Sequence, residues 1–209
     1  MSFAKDSKLE IIENMIEDAG NATAFLSGFL HSAGQINKNS DGLRVDIITD
    51  FKEVFPFVEA LVKQLYGAKL DLEISDDYII NKTTYYRIKF PVEITMQVLK
   101  DVGMMDNQEM LNLGGEIDQN VVADDECKKH FVKGAYVGCA TSSIKLSQLG
   151  SQLPTTGYHV EFSSHHKTFL EGVESILSHF NITSRIVARK KIFVLYFRRS
   201  CCAHLLFML

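Results

Sequence analysis

The sequence predicts an α+β protein built from two tandem copies of one unit that form a pseudo-two-fold pair. First, short stretches of the first half return in the second half in the same order, which indicates an internal duplication. Second, stretches whose apolar residues recur with the period of an amphipathic helix alternate with stretches in which every second residue is apolar, as is typical of strands. Third, 46% hydrophobic and 23% charged side chains among 209 residues are typical of a globular protein with a substantial core.

The duplication is visible in four pairs of stretches whose order never inverts. Their offset rises from 106 to 115 residues across a loop rich in Ser, Gln and Thr, where insertions cost little stability. We therefore expect a first copy over residues 1–105, an acidic linker over 106–126 and a second copy over 127–209. The matching pairs are 25–30 with 131–136, 43–47 with 158–162, 58–62 with 173–177, and 86–90 with 193–197.

Each copy is predicted to contain a helix, a strand, a helix and two strands. In the first copy, Asn21 is a suitable cap for an apolar helix that runs through Ala33, and Gly34 is expected to stop this helix. Alternating apolar and charged residues over 43–49 predict a half-buried strand. The remaining elements of this copy are a helix over 51–66 ended by Gly67, strands over 70–74 and 83–90, and a closing helix over 92–102 ended by Gly103.

The second copy repeats this order from Cys127 onward. Its predicted elements are a helix over 131–140, a strand over 158–163, a helix over 168–180, and strands near 183–188 and 192–198. The linker between the copies carries seven acidic residues and no basic residue. Such a segment favours contact with water, so we expect the linker to be exposed.

The net charge of −4 is unevenly distributed along the chain. The first copy has 11 basic and 16 acidic residues. The linker has no basic and 7 acidic residues, and the second copy has 11 basic and 3 acidic residues. The basic excess of the second copy indicates an anionic partner, such as a nucleic acid. The acidic remainder of the chain could also satisfy these charges.

Basic residues in the second copy are the strongest candidates for contact with phosphate groups. Two arginines four residues apart share one face of a strand, and two lysines form the turn that follows. Three lysines at the front of the copy add charge. The candidate DNA-contacting residues are Arg185, Arg189, Lys190, Lys191, Lys128, Lys129 and Lys133, with Arg198 and Arg199 beyond them. The alternative is a solvated hairpin whose lysines protect a sheet edge from unwanted pairing.

Small residues recur four positions apart in both opening helices. Gly28 and Ser32 share one helix face, and so do Gly134 and Gly138. This spacing allows two helix backbones to approach closely, so we predict that the two helices pack on each other in a common seam. The alternative is that these residues relieve crowding inside separate bundles.

Residues 26–34 resemble the nine-residue motif of LAGLIDADG homing endonucleases, and residues 132–140 resemble a weaker second copy of it. The resemblance implies paired motif helices, flanking sheets that form a saddle over DNA, and an acid at the eighth motif position that binds a divalent metal. The eighth positions here are Ala33 and Cys139. Alanine offers no ligand and a single thiol is a poor ligand for Mg²⁺, so we expect neither a metal site nor cleavage of DNA.

A closer resemblance is to the WhiA family of bacterial regulators, in which a degenerate two-copy LAGLIDADG domain precedes a helix-turn-helix domain. The stretches that carry it, in order, are residues 28–36, Cys127, 131–136 and 157–162. The resemblance implies a role in cell division, chromosome segregation and, in sporulating lineages, transcription control. We expect the helix-turn-helix domain to be missing from this sequence, and with it the major-groove recognition of bases.

The first hypothesis is a WhiA-type DNA-binding regulator that is not an enzyme, needs no cofactor and binds DNA weakly through its phosphate groups. The alternative is a protein-interaction module that docks a transcription or division partner without binding DNA itself. No apolar run reaches the roughly 18 residues of a membrane span, and no signal peptide is evident. Four cysteines are too few for a disulfide scaffold of this length, so we expect a cytoplasmic, nucleoid-associated protein with reduced thiols.

Overall fold

A computed structural model describes residues 3–13, 19–40, 42–80, 83–142 and 160–197. The predicted α+β fold with two tandem repeats is confirmed. The first copy consists of α1 (Phe3–Glu13), α2 (Ala19–Ala33), β1 (Gly34–Asn39), β2 (Gly42–Thr49), α3 (Phe55–Tyr66), β3 (Asp71–Ile80), β4 (Thr83–Lys89) and α4 (Val92–Asp101). The second copy consists of α5 (Asp125–Cys139), β5 (Ala140–Ser142), β6 (Val160–Ser164), α6 (Lys167–His179), β7 (Ser184–Arg189) and β8 (Ile192–Phe197).

Each copy folds into one four-stranded sheet, and the two sheets have equivalent strand orders. The first sheet has the order β1-β2-β4-β3 and the second has the order β5-β6-β8-β7. All neighbouring strands are antiparallel. In both sheets the strand after the opening helix lies at one edge and the third strand of the copy lies at the other. This equivalence is what a tandem duplication produces.

The expectation of one strand between the first two helices of each copy is wrong, because each opening helix continues directly into an additional edge strand. Gly34 is not the cap of α2 but the first residue of β1, where it lies opposite Ile47. In the second copy, Ala140 begins β5 opposite Phe162. Ile36 is the only large apolar residue of β1, so the apolar alternation that indicates a strand is missing there.

Other bounds differ from the prediction for local reasons. A short 3-10 helix, Lys52–Val54, precedes α3. The opening helix of the second copy begins at Asp125 and not at residue 131, because the carboxylate of Asp124 accepts a hydrogen bond of 2.8 Å from the Cys127 N–H. Gly67 ends α3 in the left-handed region with φ of 66°, as its position after the apolar stripe predicts.

The core is one cluster of apolar side chains that belongs to both copies. Phe25 and Phe29 of α2 and Phe131 and Tyr136 of α5 are fully buried at its centre. The helices α2 and α5 have 15 residues each, and no helix in the described ranges has the length and apolar character of a membrane span. The copies therefore share their hydrophobic interior instead of folding around two separate ones.

The linker packs against both copies. The backbone carbonyl of Glu116 lies 3.3 Å from Nε2 of His31 in α2, and Ile117 fits against Gly172 of α6, where a Cβ would overlap its side chain. Val121 and Val122 are buried. Six of the seven acidic residues are exposed, which agrees with the expected exposure. Four apolar residues of the same segment, Leu111, Ile117, Val121 and Val122, nevertheless belong to the core or pack against it, whereas Met110 and Leu113 are exposed.

Candidate nucleic-acid interface

The backbones of α2 and α5 are in direct contact at two reciprocal points. A Cβ at Gly28 would overlap the carbonyl oxygen of Phe131, and a Cβ at Gly134 would overlap that of Phe25. Each glycine thus lies against the carbonyl of the residue three positions before the other glycine, which is the geometry of a pseudo-two-fold axis. Only glycine allows this approach, because any side chain would separate the two helices.

The other two small residues meet one step further along the same helices. A Cβ at Gly138 would overlap the Ser32 hydroxyl oxygen, and that hydroxyl donates a hydrogen bond of 2.9 Å to the Phe29 carbonyl within α2. The structure therefore places Gly28, Ser32, Gly134 and Gly138 between the same two helices. This pair of helices holds the two sheets in a fixed relation.

The two eighth motif positions lie at the C-terminal ends of these helices. Cys139 is a half-buried free cysteine, and burial raises the pKa of its thiol to about 12 despite the nearby Lys8 ammonium. The thiol is therefore protonated at neutral pH and is not a ligand for a hard cation. Ala33 offers no donor. Among the described residues no group of three or more His, Cys, Asp or Glu side chains could hold a metal ion, so the donors present do not fit the divalent metal of the homing endonucleases.

A cavity of about 520 Å³ lies beside Ala33, between the end of α2 and the loop that joins β6 to α6. His31 lies in its wall and is buried, with Nδ1 2.9 Å from the Ser27 carbonyl oxygen and Nε2 3.3 Å from the Glu116 carbonyl oxygen. Burial lowers the pKa of His31, while both carbonyl oxygens favour the charged ring. His31 therefore fastens the linker to α2.

The second sheet presents a basic hairpin on the face away from its helices. Ile186 of β7 packs on the core, so Arg185 and Arg189 project from the opposite face. Arg185, Lys190 and Lys191 are exposed, and within the described part of the chain none of them forms an ion pair. Three positive charges are thus available to an anionic partner.

Arg189 differs from its neighbours because it is already paired. Its Nη1 and Nη2 donate to the two carboxylate oxygens of Glu161 on β6 at 3.0 and 3.1 Å. Such two-point pairing fixes the plane of the guanidinium group. Arg198 and Arg199 lie outside the described residues.

The structure does not bring the lysines of α5 together with this hairpin. Lys128 and Lys129 pair with Asp125 and Glu126 at 3.5 and 2.6 Å, and burial lowers the pKa of Lys133. The start of α5 meets the C-terminal end of α6, whereas the hairpin turn meets the N-terminal end. The contacts are His179 with Asp125 at 2.7 Å and His165 with the Lys191 carbonyl at 3.1 Å. Because α6 has 13 residues, these two ends are separated by about 20 Å.

The first sheet carries an ionic network on its outer face that the sequence features above do not single out. Asp46 of β2 is fully buried, and its carboxylate lies 2.9 Å from Nε of Arg44 and 3.1 Å from Nη1 of Arg87. The Asn37 amide donates to the same carboxylate at 3.1 Å, and Glu73 pairs with Lys89 at 2.6 Å. The charged residues Arg44 and Asp46 between apolar positions of β2 are a usable sequence signal, but Arg87 and Asn37, which complete the network, lie on β4 and β1.

The chain matches a known family over most of its length. The family model described as the WhiA LAGLIDADG-like domain matches residues 22–111 and 129–205, which is well over half of the chain. The chain belongs to this family. The probable cell division protein WhiA of Clostridium acetobutylicum is 23% identical over 203 residues, which cover 96% of this chain. The chain spans 61% of the length of that relative.

Solved structures agree with the assignment at the level of the fold. The crystal structure of the N-terminal LAGLIDADG domain of DUF199/WhiA has a TM-score of 0.70 at 16% identity and covers 99% of this chain and 89% of its own. The homing endonuclease I-DmoI in complex with DNA and Mn has a TM-score of 0.57 at 14% identity and covers 87% of this chain and 91% of its own. The WhiA-type domain described here thus shares its fold with a DNA-cutting enzyme.

Proposed function

We propose that this chain is a DNA-associated regulatory protein of the WhiA type, and that the outer face of its second sheet binds duplex DNA without cutting it. The observation that carries the proposal is the exposed basic hairpin, in which Arg185, Lys190 and Lys191 have no acidic partner among the described residues. The relatives named as probable cell division proteins support a role in cell division. The proposal extends this role to chromosome segregation and, in lineages that sporulate, to transcription control.

Phosphate contacts alone give a characteristic kind of binding. Each lysine or arginine that neutralises a phosphate releases a counterion, so affinity falls steeply as salt rises, with a slope of about −0.9 per contact. Three contacts therefore give weak binding that tolerates many sequences. Recognition of a particular site would need contacts with base edges, which the basic turn does not supply.

The test compares two triple variants that remove the same charge. R185Q/K190Q/K191Q neutralises the hairpin, and the matched control K52Q/K63Q/K69Q neutralises three exposed lysines of the first copy. Fluorescence anisotropy with labelled duplex DNA is measured from low to moderate salt. We expect the hairpin variant to lose most of the affinity and to lower the salt slope by about 2 to 3. Equal effects of the two variants would contradict the proposed surface.

The proposed absence of cleavage rests on the donor atoms at the two motif ends. Ala33 has no ligand atom and the Cys139 thiol is protonated at neutral pH. We expect supercoiled plasmid to remain intact after incubation with the protein and either Mg²⁺ or Mn²⁺. Nicking that co-purifies with the protein and is abolished by chelator would contradict this proposal.

A second candidate function, the docking of a protein partner, is favoured by an exposed apolar strip on the first sheet. Leu72 and Ile74 of the edge strand β3 are 39% and 63% exposed. An edge strand with apolar side chains is a site at which another chain can add. Under this function, DNA binding is absent even at low salt, and loss of the hairpin charges changes nothing.

A further inference from the structure

Each copy carries an acidic residue at the same place on the outer face of its central strand. Asp46 lies on β2 and Glu161 on β6, and the two fall at matching positions of the repeat, 45–47 with 160–162. Both are well shielded, with side-chain exposures of 0% and 18%. The pattern therefore occurs twice, in sheets whose other outward side chains differ.

Each of these acids holds arginine side chains. Asp46 pairs with Arg44 and Arg87, and Glu161 pairs with Arg189 through two hydrogen bonds. Arg44 directs Nε and Nη2 to the carboxylate at 2.9 and 3.3 Å, so one edge of its guanidinium group is occupied. A guanidinium group has five N–H donors, and 27% of the Arg44 side chain remains exposed. The arginine is fixed in orientation and keeps donors for another acceptor.

Stability is a poor explanation for such an arrangement. Removing a carboxylate and two guanidinium groups from water costs more than their attraction returns unless the geometry is excellent, and apolar replacements are often neutral or stabilising. The outer face of an antiparallel sheet can remain in contact with water, so nothing in the fold requires a buried charge there. Fixed donors are, however, what a binding surface needs, since less conformational entropy is lost on binding.

We propose that Asp46 and Glu161 are positioning residues that orient Arg44 and Arg189 for contact with backbone phosphates of duplex DNA, while Arg87, which also pairs with Glu73, helps to hold the Asp46 carboxylate in place. This inference rests on the proposed DNA binding and extends it from the hairpin of the second sheet to the first sheet. The phosphate accepts N–H bonds from guanidinium edges that the carboxylates leave unused. The carboxylates act through the arginines and do not touch the DNA.

The substitution Asp46→Asn tests this inference because the two explanations of the role of Asp46 predict opposite changes in the affinity for DNA. If Asp46 only offsets positive charge, the loss of its negative charge strengthens DNA binding. If Asp46 positions Arg44, the amide releases the guanidinium group and binding weakens by roughly fivefold for the loss of one contact, with a salt slope lowered by about 1. We expect the second result. The readout is anisotropy with labelled duplex DNA, together with thermal unfolding of the same variant.

Two further variants keep the test decisive if Asp46→Asn does not fold. Glu161→Gln alters a partly exposed side chain, and Arg44→Lys keeps the charge but loses the fork that pairs with a carboxylate. Both are expected to bind DNA more weakly than the parent chain. Unchanged or stronger binding by the folded variants overturns the positioning role. If R185Q/K190Q/K191Q binds normally while Glu161→Gln weakens binding, the hairpin proposal fails and the positioning role stands; if the parent chain binds no DNA, both fail.

Discussion

Two backbone positions show how strongly single residues constrain this molecule. Gly28 lies where any side chain would overlap the Phe131 carbonyl of the facing helix. Lys190, in the turn between β7 and β8, has a φ of 52°, a left-handed conformation that glycine adopts far more easily than lysine. Glycine is the residue that fits best at position 28. At position 190, lysine is strained, and we attribute the presence of lysine there to the positive charge that it offers to a partner.

The substitution Gly28→Ala is expected to be severely destabilising. The added methyl group has to push α5 away along its whole contact with α2, because the nearest atoms belong to the backbone and cannot rotate aside. We expect a loss of about 3 kcal/mol or more in the free energy of unfolding, measured by chemical denaturation. The control Gly67→Ala tests a left-handed cap with open space around it, and its cost is expected to be near 1 kcal/mol. Equal costs at both positions would contradict the tight seam.

The substitution Lys190→Gly is expected to stabilise the fold while weakening the interaction with DNA. Relief of the left-handed strain outweighs the larger entropy of the unfolded glycine chain, so the gain is about 0.5 kcal/mol. The matched change Lys191→Gly, at a residue without positive φ, is expected to destabilise. Denaturant unfolding and DNA anisotropy of both variants provide the measurements. A loss of stability in Lys190→Gly would show that the turn is not strained.

At the scale of elements, the start of α5 depends on a polar side chain. Asp124 accepts the Cys127 N–H at the start of α5, and this hydrogen bond holds the pKa of Asp124 below its usual range. The acidic linker therefore ends by capping the helix that follows it. The same negative charges face the positive end of the α5 dipole, as Asp125 and Glu126 lie in its first turn.

The substitution Asp124→Ala is expected to lower the unfolding temperature at neutral pH by a few degrees. Because the folded pKa of Asp124 lies below its unfolded value, the cap contributes stability above the unfolded pKa, and this contribution disappears as the pH falls through the folded pKa. The difference between the parent chain and the variant should therefore vanish in strong acid. Thermal unfolding followed by circular dichroism from pH 7 to pH 2 measures it. A difference that persists in acid would exclude the carboxylate as its source.

Elements with a strong apolar period are predictable here, and those without one are not. The stripe of α3, the alternation of β2 and the repeat itself are visible in the sequence, because burial against a core imposes a period on apolar residues. β1 carries mostly polar side chains, so its existence depends on pairing with β2 and not on its own composition. α5 begins six residues before the predicted start at residue 131, because its capped first turn, from Asp125, carries no apolar stripe that would mark it as a helix.

At the scale of the whole molecule, the two copies form one cooperative structure. A single core cluster contains apolar residues of α2, α5, both sheets and the linker. The candidate site could be predicted only where charge is local, as in the hairpin at Lys190 and Lys191. The ion pairs Asp46–Arg87 and Glu161–Arg189 join different strands, and the distance between α5 and the hairpin depends on tertiary packing.

The shared core predicts that both copies unfold together. Denaturant titration followed by near-ultraviolet and far-ultraviolet circular dichroism should give coincident single transitions. The physical reason is that separation of α2 from α5 exposes buried rings of both halves at once, among them Phe29, which lies against Gly138, and Phe131, which packs on His31. Two resolved transitions, or non-coincident probes, would show that each copy has an independent core.

The path of the linker has a consequence for a protein that is produced as two separate fragments. The turn at residues 106–110 is exposed, whereas the chain before it is anchored in the first copy and the chain after it contacts α6 through Gly115 and Ile117. A cut in this turn removes covalent continuity but leaves every helix and strand with its partners. Fragments made separately can therefore reassociate through the glycine seam, so halves taken from different members of the family could be exchanged to build hybrid molecules.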